Sequence, residues 1–394
     1  MEGTAPRRIA LVHDFLLDLR GAERVFLAMC DLWPEADVYT AVYDPLGTDG
    51  RFESRNVRTS PLQRLKPTAR TFRALLPLYP AAIESFDLSA YDLVVSSSSA
   101  WAHAVICDES TLHLCYCHNP FRYVWNDRDR TLAERRDPFS RAALRALFRR
   151  WRQWDWIAAQ RVDRYLANSH ATQKRISTYF GRDSSVLYPP VETERFAPGP
   201  VGGYYLVLSE LMPHKRIGVA VEAFNRLGRP LIVVGDGPDA RRLRRMAAPN
   251  VRLLGRVDDA RVAQLLSGCR ALVVTATEEF GIAAVEAQAA GRPVIGLAAG
   301  GLCETVQEGV TGVLWKGGPD ELAEAVLRFD EDDVDSADCV ANARRYGVER
   351  FKQALSREAD RLLSDSPPVE HHEARRARAA SQPRTMRGLG RRLR

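Results

Sequence analysis

The chain has 394 residues, of which 45% are apolar and 27% charged, so it is long enough for two domains and has the composition of an ordinary soluble protein. No apolar run reaches the ~18 residues of a membrane-spanning helix, and we therefore do not expect a membrane-spanning protein. The formal net charge is +6, and residues 366–394 alone have a charge of this size, because they hold eight arginines and two glutamates.

The basic tail, residues 365–394, is expected to be disordered, because it has three prolines and few large apolar side chains. A tail of this charge either binds an anionic surface, such as a membrane or a nucleic acid, or stays solvated as a dispensable extension. The rest of the chain is formally neutral.

The N-terminus and the cysteines predict a cytoplasmic protein. Residues 1–15 lack the apolar core and cleavage site of a signal peptide. The seven cysteines form no CxxC pair, and an odd number suits a reducing compartment. Cys115, Cys117 and His118 are close enough to suggest a metal site. The two cysteines share one face of a predicted strand, however, and are more simply core residues.

The first half of the chain predicts strands with long connections. They cover residues 9–12, 38–40, 93–96, 112–117, 165–167 and 186–187. Residues 189–203 follow, with four prolines and three glycines, and predict the linker between two domains. The first domain is predicted to span residues 1–196.

The second half alternates strands and helices regularly. Strands are predicted at residues 204–209, 231–235, 251–254, 271–275, 293–296 and 312–315, and helices at 217–227, 240–247, 258–266 and 281–290. The strands are continuous apolar runs, which indicate a parallel sheet covered on both faces, a doubly wound α/β domain. This domain spans residues 197–340, and a helix over residues 341–364 follows it.

Two loops that join a strand to a helix are candidate ligand sites, since ligands of doubly wound domains bind at the carboxyl ends of the strands. In residues 14–21, Gly21 would let a ligand approach the backbone, or is a simple turn glycine. In residues 209–216, Lys215 and Arg216 lie at the start of a helix, where cations are unfavourable unless an anion sits between them. A diphosphate would satisfy both; the alternative is two solvated side chains.

The sequence EEFGIAAVEA, residues 278–287, places carboxylates around an apolar helix. That helix begins at Gly281 directly after a strand, so its first amides form an anion site. Glu278 precedes this site, and Glu286 lies inside the helix, where carboxylates are rare unless paired. The two would accept hydrogen bonds from a hexose and a ribose on either side of nucleotide phosphates. The alternative is a structural ion pair between Glu286 and an arginine.

Several motifs together resemble the retaining glycosyltransferases of family 4, which have the GT-B fold. The second half carries E-x-F-G-x-x-x-x-E at 278–286, Lys215 after a strand, GDGP at 235–238 and two glycines before Glu304. The first half carries RGAER at 20–24, YCHNPFRYVW at 116–125, ANSHATQKRI at 167–176 and YPPVETERF at 188–196. These look like bacterial members that build lipopolysaccharide or exopolysaccharide, several of which transfer mannose from GDP-mannose.

The resemblance implies a role for each matching residue. Glu286 would hold the nucleotide ribose, and Glu278 would contact the hydroxyls of the donor sugar. Lys215 would neutralise the diphosphate, with Arg216 as a second cation, and His118 would lie near donor and acceptor. The remaining contacts would come from Gly21 and Ala22 against the diphosphate, and from the backbone of Phe280, Gly281 and Ile282 against sugar and phosphate.

One position departs from the family pattern. Family members commonly carry a basic residue just after the strand, in a pattern like G-R-L-x-x-x-K, and this chain has Glu210 there. Because a carboxylate cannot take over diphosphate binding, a catalytically silent GT-B scaffold is the alternative to an enzyme. A dinucleotide oxidoreductase is a further alternative, but no loop carries the G-x-G-x-x-G fingerprint.

The resemblance therefore predicts two Rossmann-like domains facing a cleft. It implies transfer of a hexose, with retention and without a metal or other cofactor, from a nucleotide sugar to a glycan or polyprenyl-linked acceptor. Residues 140–164 combine seven arginines with three tryptophans. They predict either a helix on the anionic inner face of the plasma membrane or an ordinary core helix. We expect no nucleic-acid partner.

Overall fold

The computed structural model of this chain describes residues 7–69, 71–135, 137–331 and 334–365. The predicted basic tail lies, beyond Asp365, outside the described residues. Two parallel sheets organise the described part, one in each half of the chain.

The first sheet has seven parallel strands, and its central strands are buried. In chain order they are β1 (Ile9–His13), β2 (Asp37–Thr40), β3 (Val57–Thr59), β4 (Leu93–Ser98), β5 (Leu112–Cys117), β6 (Arg164–Ala167) and β7 (Ser184–Val186). The spatial order is β3-β2-β1-β4-β5-β6-β7. The strand order reverses between β1 and β4, and a crevice opens at the carboxyl ends of the strands at such a point.

The second sheet has six parallel strands. They are β8 (Tyr205–Leu208), β9 (Leu231–Val234), β10 (Val251–Gly255), β11 (Leu272–Val274), β12 (Val294–Leu297) and β13 (Gly312–Trp315). The spatial order is β10-β9-β8-β11-β12-β13, so the strand order reverses between β8 and β11. This reversal places the loops after β8 and β11 side by side.

Helices cover both faces of the two sheets. Those of the first half are α1 (Gly21–Leu32), α2 (Tyr79–Glu84), α3 (Arg128–Ala133), α4 (Pro138–Ala159) and α5 (His170–Phe180). Those of the second half are α6 (Ile217–Leu227), α7 (Ala240–Met246), α8 (Asp259–Gly268), α9 (Ile282–Ala289), α10 (Leu302–Thr305), α11 (Pro319–Glu331), α12 (Ser336–Ala343) and α13 (Val348–Asp365). Across the described ranges, none of these helices is both long and apolar enough to cross a bilayer.

The last helix, α13, packs on the first sheet. Its Phe351 is buried in the core of the first half, and the Phe351 ring meets Tyr116 of β5 edge to face at 5.5 Å. The chain therefore passes between the two halves twice, once before β8 and once before α13. The two crossings touch, because the Val191 amide donates to the Tyr346 carbonyl over 2.8 Å and Val191 pairs with Gly347.

The predicted α/β fold with two doubly wound domains is confirmed. Each predicted strand overlaps an observed strand whose ends differ by no more than about two residues, the usual uncertainty of such boundaries. The strand β3 was not predicted, because it lies at the edge of the sheet and its side chains are half-buried or exposed. The domain limits at residues 196 and 340 stay predictions.

Candidate functional site

A cleft lies between the two sheets, where loops that follow β1, β5, β8 and β11 meet. Its first compartment, of about 440 Å³, contains His118, Lys215 and Glu278. The adjoining second compartment, of about 480 Å³, contains Glu286. Seven residues line both compartments and are called the junction: Arg20, Gly21, Leu208, Ser209, Glu210, Ile282 and Ala283.

Lys215 and Glu278 form an ion pair in the first compartment. The Lys215 ammonium lies 2.8 Å from each carboxylate oxygen of Glu278, and the two side chains are 20% and 21% exposed. Lys215 ends a short 3-10 turn, and the Thr275 hydroxyl donates to its carbonyl over 2.7 Å. The residue that follows β11 thus fixes the lysine backbone beside the loop that carries Glu278.

Glycines hold the loop before α9 in place. Gly281 directly precedes α9 and has a φ of 94°, in the left-handed region that favours glycine. The Gly301 amide donates to the Glu278 carbonyl over 2.8 Å, and a Cβ on Gly300 would lie 2.2 Å from the same oxygen. The two glycines before Glu304 therefore let their backbone support the Glu278 loop.

The N-terminus of α9 opens at the junction. Its first residues, Ile282 and Ala283, line both compartments, and the N-cap residue, Gly281, has no side chain that could cap the helix. The Phe280 ring is buried and packs against Tyr188 and Tyr346, with ring centres 5.6 and 5.2 Å away. These contacts anchor the loop, so the free amides of α9 present a fixed partial positive charge where the compartments meet.

Glu286 lies about one turn into α9 and faces the second compartment. Within the described part of the chain, its carboxylate has no hydrogen bond and no ion pair within 4.0 Å. Burial raises the pKa of this carboxyl, while the charges of Arg24 and Arg195 oppose that shift. The structural ion pair weighed as an alternative is thus absent at contact distance, and the carboxylate is accessible to a ligand.

Arg216 does not reach the cleft. Its backbone is left-handed, with a φ of 53°, and its guanidinium donates to the Gly317 carbonyl over 2.8 Å. The left-handed turn sends the side chain away from Lys215, so the two cations do not face the same site. The prediction that Arg216 supplies a second cation to a diphosphate therefore does not fit the structure.

Arg20 stands at the junction instead, although the sequence analysis gave it no role. Its guanidinium pairs with Glu210, with Nη1 2.8 Å from Oε1. It is also held by Asp18 of its own loop, since Nε and Nη2 both donate to Oδ2, over 3.0 and 2.8 Å. The unexpected carboxylate at position 210 thus has a cation from the first half of the chain as its partner.

Glu279, the second carboxylate of the EEFGIAAVEA sequence, forms ion pairs with arginines across the cleft. Its Oε1 lies 3.2 Å from Arg122 and 3.6 Å from Arg175. Arg175 also donates to the Asn119 side chain over 2.8 Å. Arg122, Asn119 and Glu279 line the first compartment, on the side of His118.

His118 ends a chain of buried polar groups. Its Nε2 lies 2.9 Å from the Ser97 hydroxyl, and His13 Nδ1 lies 3.0 Å from the Ser97 carbonyl. Because a carbonyl only accepts, His13 Nδ1 carries a proton, and the Ser97 hydroxyl can donate to His118. A Ser97 hydroxyl that donates in this way leaves the proton of neutral His118 on Nδ1. His13 Nε2 lies 3.8 Å from Glu23, whose carboxylate accepts from the Arg20 amide at the start of α1.

Acidification is expected to destabilise the chain through His118 and His113. Burial, with a second histidine nearby, lowers the pKa of each to about 3. Between that value and the ordinary 6.5 the unfolded state binds more protons, so the free energy of unfolding falls as the pH drops below 6.5. At pH 5 each histidine should cost about 2 kcal/mol. Urea titrations at pH 7 and pH 5 measure this effect.

Comparison of the parent with the His118→Asn variant separates the contribution of His118 to the pH dependence of stability from that of the carboxylates, which titrate over the same pH range. The variant should lose less stability between pH 7 and pH 5 than the parent, by about 2 kcal/mol. An equal loss in both proteins would show that His118 does not titrate as described.

Asp14 shapes the wall of the cleft without facing it. It directly follows β1 and is buried. Its carboxylate accepts four backbone amides of the loop after β4: Ser99 and Ala100 donate to Oδ2 over 2.6 and 3.1 Å, and Trp101 and Ala102 donate to Oδ1 over 2.6 Å each. Since Ser99 lines the first compartment, this carboxylate fixes the position of that wall.

The cysteines of the metal site considered above, Cys115 and Cys117, lie in the core, whereas His118 lines the cleft. Both cysteines are buried among apolar side chains. In the ranges that the structure describes, no three histidine, cysteine or acidic side chains are grouped as metal ligands would be.

Two family models match the chain in succession. The model described as Glycosyltransferase Family 4 matches residues 19–195, and the model described as Glycosyl transferases group 1 matches residues 193–346. Together they cover well over half of the chain, including Lys215, Glu278 and Glu286. The first half of the chain thus belongs to Glycosyltransferase Family 4, and the second half belongs to the group 1 glycosyl transferases.

Curated relatives of this family 4 chain match it in part. The D-inositol 3-phosphate glycosyltransferase of Mycobacterium leprae is 27% identical over 270 residues, which cover 58% of this chain and 62% of the relative. The GDP-mannose-dependent alpha-(1-6)-phosphatidylinositol monomannoside mannosyltransferase of Mycobacterium tuberculosis is 32% identical over 195 residues, which cover 41% and 51%. The chain thus spans less than two thirds of the length of these relatives.

Solved structures with the same fold cover nearly the whole chain. HepE from Anabaena, in complex with UDP and glucose, matches with a TM-score of 0.66 and 19% identity over 90% of this chain and 100% of that one. Sucrose-phosphate synthase from Thermosynechococcus elongatus matches with a TM-score of 0.71 and 17% identity over 92% and 100%. At such identities the likeness concerns the fold alone, and it agrees with the predicted GT-B arrangement.

Most of the predicted site residues of this family 4 chain lie together. The first compartment is lined by Gly21, Ala22, His118, Lys215, Glu278, Phe280, Gly281 and Ile282, while Glu286 lines the second. Arg216 lies elsewhere. Sequence reasoning missed the cleft positions of Arg20 and Arg122, although both lie inside the RGAER and YCHNPFRYVW motifs. The motifs were the available signal, but they do not tell which side chains turn toward the cleft.

Proposed function

We propose that this chain is a retaining glycosyltransferase of cell-surface polysaccharide synthesis. It moves a hexose, with mannose from GDP-mannose as the first choice, to a glycan or polyprenyl-linked acceptor. The observation that carries the proposal is the placement of two carboxylates around the N-terminus of α9, Glu278 in the first compartment and Glu286 in the second. A nucleotide sugar has the matching order of hexose, diphosphate and ribose.

In this arrangement the diphosphate occupies the junction, where the amides of α9 favour an anion. The hexose hydroxyls contact Glu278, and the ribose hydroxyls contact the unpaired carboxylate of Glu286. Lys215 lies on the hexose side of the junction and neutralises charge as the nucleoside diphosphate leaves, which is electrostatic catalysis. His118 faces the same compartment as a neutral imidazole, near donor and acceptor.

The transfer itself proceeds on one face of the sugar. The acceptor hydroxyl attacks the anomeric carbon from the side on which the diphosphate departs, and the bond between that carbon and the phosphate oxygen breaks. The leaving phosphate takes the proton of the acceptor hydroxyl. The scheme uses no acidic nucleophile, because both carboxylates bind hydroxyls, and it needs neither a metal nor a cofactor.

A donor panel tests the proposal. GDP-mannose, GDP-glucose, UDP-glucose and UDP-galactose are incubated with the chain and a polyprenyl-linked glycan, and nucleoside diphosphate release is measured. We expect turnover with GDP-mannose, and NMR of the product should show the anomeric configuration of the donor. The mannosyltransferase relative uses GDP-mannose by its name, while HepE binds UDP. Nucleotide binding without turnover of any donor would favour the silent scaffold.

Glu286→Ala should lower kcat/KM for transfer by about 10- to 100-fold, the contribution of hydrogen bonds to a charged group. The fold should persist, since none of the described residues pairs with the carboxylate at contact distance. Steady-state kinetics and thermal unfolding measure the two effects. Glu324→Ala, which removes an exposed carboxylate on α11, is the matched control. Unchanged kinetics in the Glu286 variant would remove this residue from the donor site.

We also propose that α4 docks on an anionic membrane. Trp151 is buried and Trp154 donates to Glu84 over 3.1 Å, so part of this helix belongs to the core. On its outer side Phe139 is 86% exposed and Ile157 54% exposed. These two residues lie about five turns apart on one face, with arginines beside them. Apolar anchors among basic side chains suit a lipid interface.

Phe139→Glu should weaken binding to vesicles that contain anionic lipid by about tenfold or more, since a buried aromatic ring contributes about 2 kcal/mol. Sedimentation with vesicles measures the effect. Leu327→Glu, at an exposed position of α11, should bind like the parent. Absence of vesicle binding by the parent chain would contradict the docking proposal.

A further inference from the structure

The junction is where the two compartments of the cleft meet, and its charged residues are Arg20 and Glu210. They belong to opposite halves of the chain, Arg20 preceding α1 and Glu210 following β8. Their ion pair, with Nη1 2.8 Å from Oε1, spans the cleft where the two compartments meet.

A nucleotide sugar that places its sugar beside Glu278 and its ribose beside Glu286 must pass its diphosphate through this junction. Two helices begin there, since Gly21 of α1 and Ile282 of α9 both line it. Helix amides favour an anion but neutralise only part of the charge of a diphosphate. Lys215 supplies one full charge from the first compartment, and Arg216 is bound to the Gly317 carbonyl. Among the seven residues of the junction, Arg20 is the one with a positively charged side chain.

Arg20 has the geometry to supply a second full charge at the junction. Asp18 of the same loop fixes one edge of the guanidinium by accepting from Nε and Nη2. The remaining nitrogen, Nη1, points across the cleft to Glu210. Both side chains of this pair are nearly half exposed, at 47% and 46%, so the contact can exchange with a ligand at modest cost.

We propose that Arg20 is the second diphosphate-binding cation of the site, and that Glu210 is the carboxylate that occupies Arg20 while the donor is absent. The inference rests on the proposed function. An arriving diphosphate takes the place of Glu210 on Nη1, because phosphate oxygens accept strong charge-assisted hydrogen bonds from arginine. Glu210 is repelled by the same anion and turns toward solvent.

The two members of the pair therefore have opposite effects on donor binding. Loss of Arg20 removes a ligand of the diphosphate. Loss of the Glu210 charge removes both a competitor for Arg20 and a repulsive neighbour of the phosphates. A purely structural ion pair would behave differently, since either substitution would then disturb the junction in the same direction.

Calorimetric binding of GDP, UDP and the matching monophosphates to the full chain tests the inference. Arg20→Ala should weaken diphosphate binding by about tenfold or more, the loss of one charge-assisted hydrogen bond. It should also reduce the preference for diphosphate over monophosphate. Arg20→Lys should restore part of the binding, and Glu210→Gln should tighten it several-fold. Arg226→Ala, an exposed arginine of α6 that pairs with Glu222, is the control and should bind like the parent.

Diphosphate binding by Arg20→Ala that equals the parent's, or weaker binding by Glu210→Gln, would overturn the inference. Thermal unfolding without nucleotide shows whether each variant is folded. If Arg20→Ala fails to fold, the Arg20→Lys and Glu210→Gln variants decide between the two outcomes. A parent chain that binds no nucleoside diphosphate would overturn the proposed function itself, which keeps the two failures apart.

Discussion

Replacement of Lys215 by alanine should lower kcat/KM for sugar transfer by about a thousandfold, since a preorganised charge aimed at the leaving group contributes about 4 kcal/mol. The ammonium lies in the first compartment, 2.8 Å from both oxygens of Glu278, and Thr275 fixes its backbone. Its loss leaves the departing diphosphate without that cation and leaves Glu278 unpaired. Steady-state kinetics with the best donor of the panel measure the effect.

Two further variants separate the roles of Lys215. Lys215→Arg keeps the charge and should retain more activity than the alanine variant. The double variant Lys215→Ala with Glu278→Gln removes the unpaired carboxylate as well. If Lys215 acts on the diphosphate, the double variant stays inactive. Recovery of activity in the double variant would show that the lysine only neutralises Glu278.

Replacement of Asp14 by alanine should lower the free energy of unfolding by about 4 kcal/mol, because buried amides that lose a charged acceptor cost about 1–3 kcal/mol each and water satisfies only some of them. The carboxylate accepts from four consecutive residues, of which Ser99 lines the first compartment. Donor affinity should therefore fall together with stability. Urea titration and nucleotide calorimetry measure the two.

The asparagine variant of Asp14 is the informative control. It keeps the size of the side chain and retains one accepting oxygen, so it should lose less stability than the alanine variant. Asp360→Ala, at an exposed position of α13, should stay close to the parent. An alanine variant as stable as the parent would mean that the loop after β4 does not depend on this carboxylate.

The sequence predicted the layers of this fold well for a physical reason. Central strands such as β8 and β12 are buried on both faces, so they must be continuous apolar runs, and such runs are visible without a structure. The strand β3 is a three-residue edge strand with half-buried and exposed side chains, so it shows no continuous apolar run that would separate it from a loop.

The part of the candidate site that could be predicted from the sequence is the part in which a single motif contains both the backbone turn and the functional side chains. Glu278, Gly281 and Glu286 belong to one loop and one helix, so their spacing alone fixes their relative placement. The partner of Glu210 could not be found in this way, because Arg20 lies across the cleft in the other half of the chain. The same holds for Glu279 and Arg122.

The predicted position of Arg216 beside the diphosphate differs from the structure for another reason. It neighbours Lys215, and two adjacent cations suggested one anion. A left-handed residue reverses the direction of the backbone within a single step, and non-glycine residues adopt that conformation rarely. The spacing in the sequence therefore placed Arg216 in the correct loop but did not predict that its side chain points away from the cleft.

The two crossings touch at Val191 and Gly347, and we expect this contact to restrict how the halves of the molecule move. Two connections that lie side by side form a single hinge axis. We therefore expect the two halves to open and close by rotation about this axis, because sliding or twisting would break the contact between the two connections. A protease that cut only one of the two connections would leave the two halves attached to each other. The helix α13 would still clasp the first sheet after a cut before β8, and the segment before β8 would still tether the halves after a cut before α13.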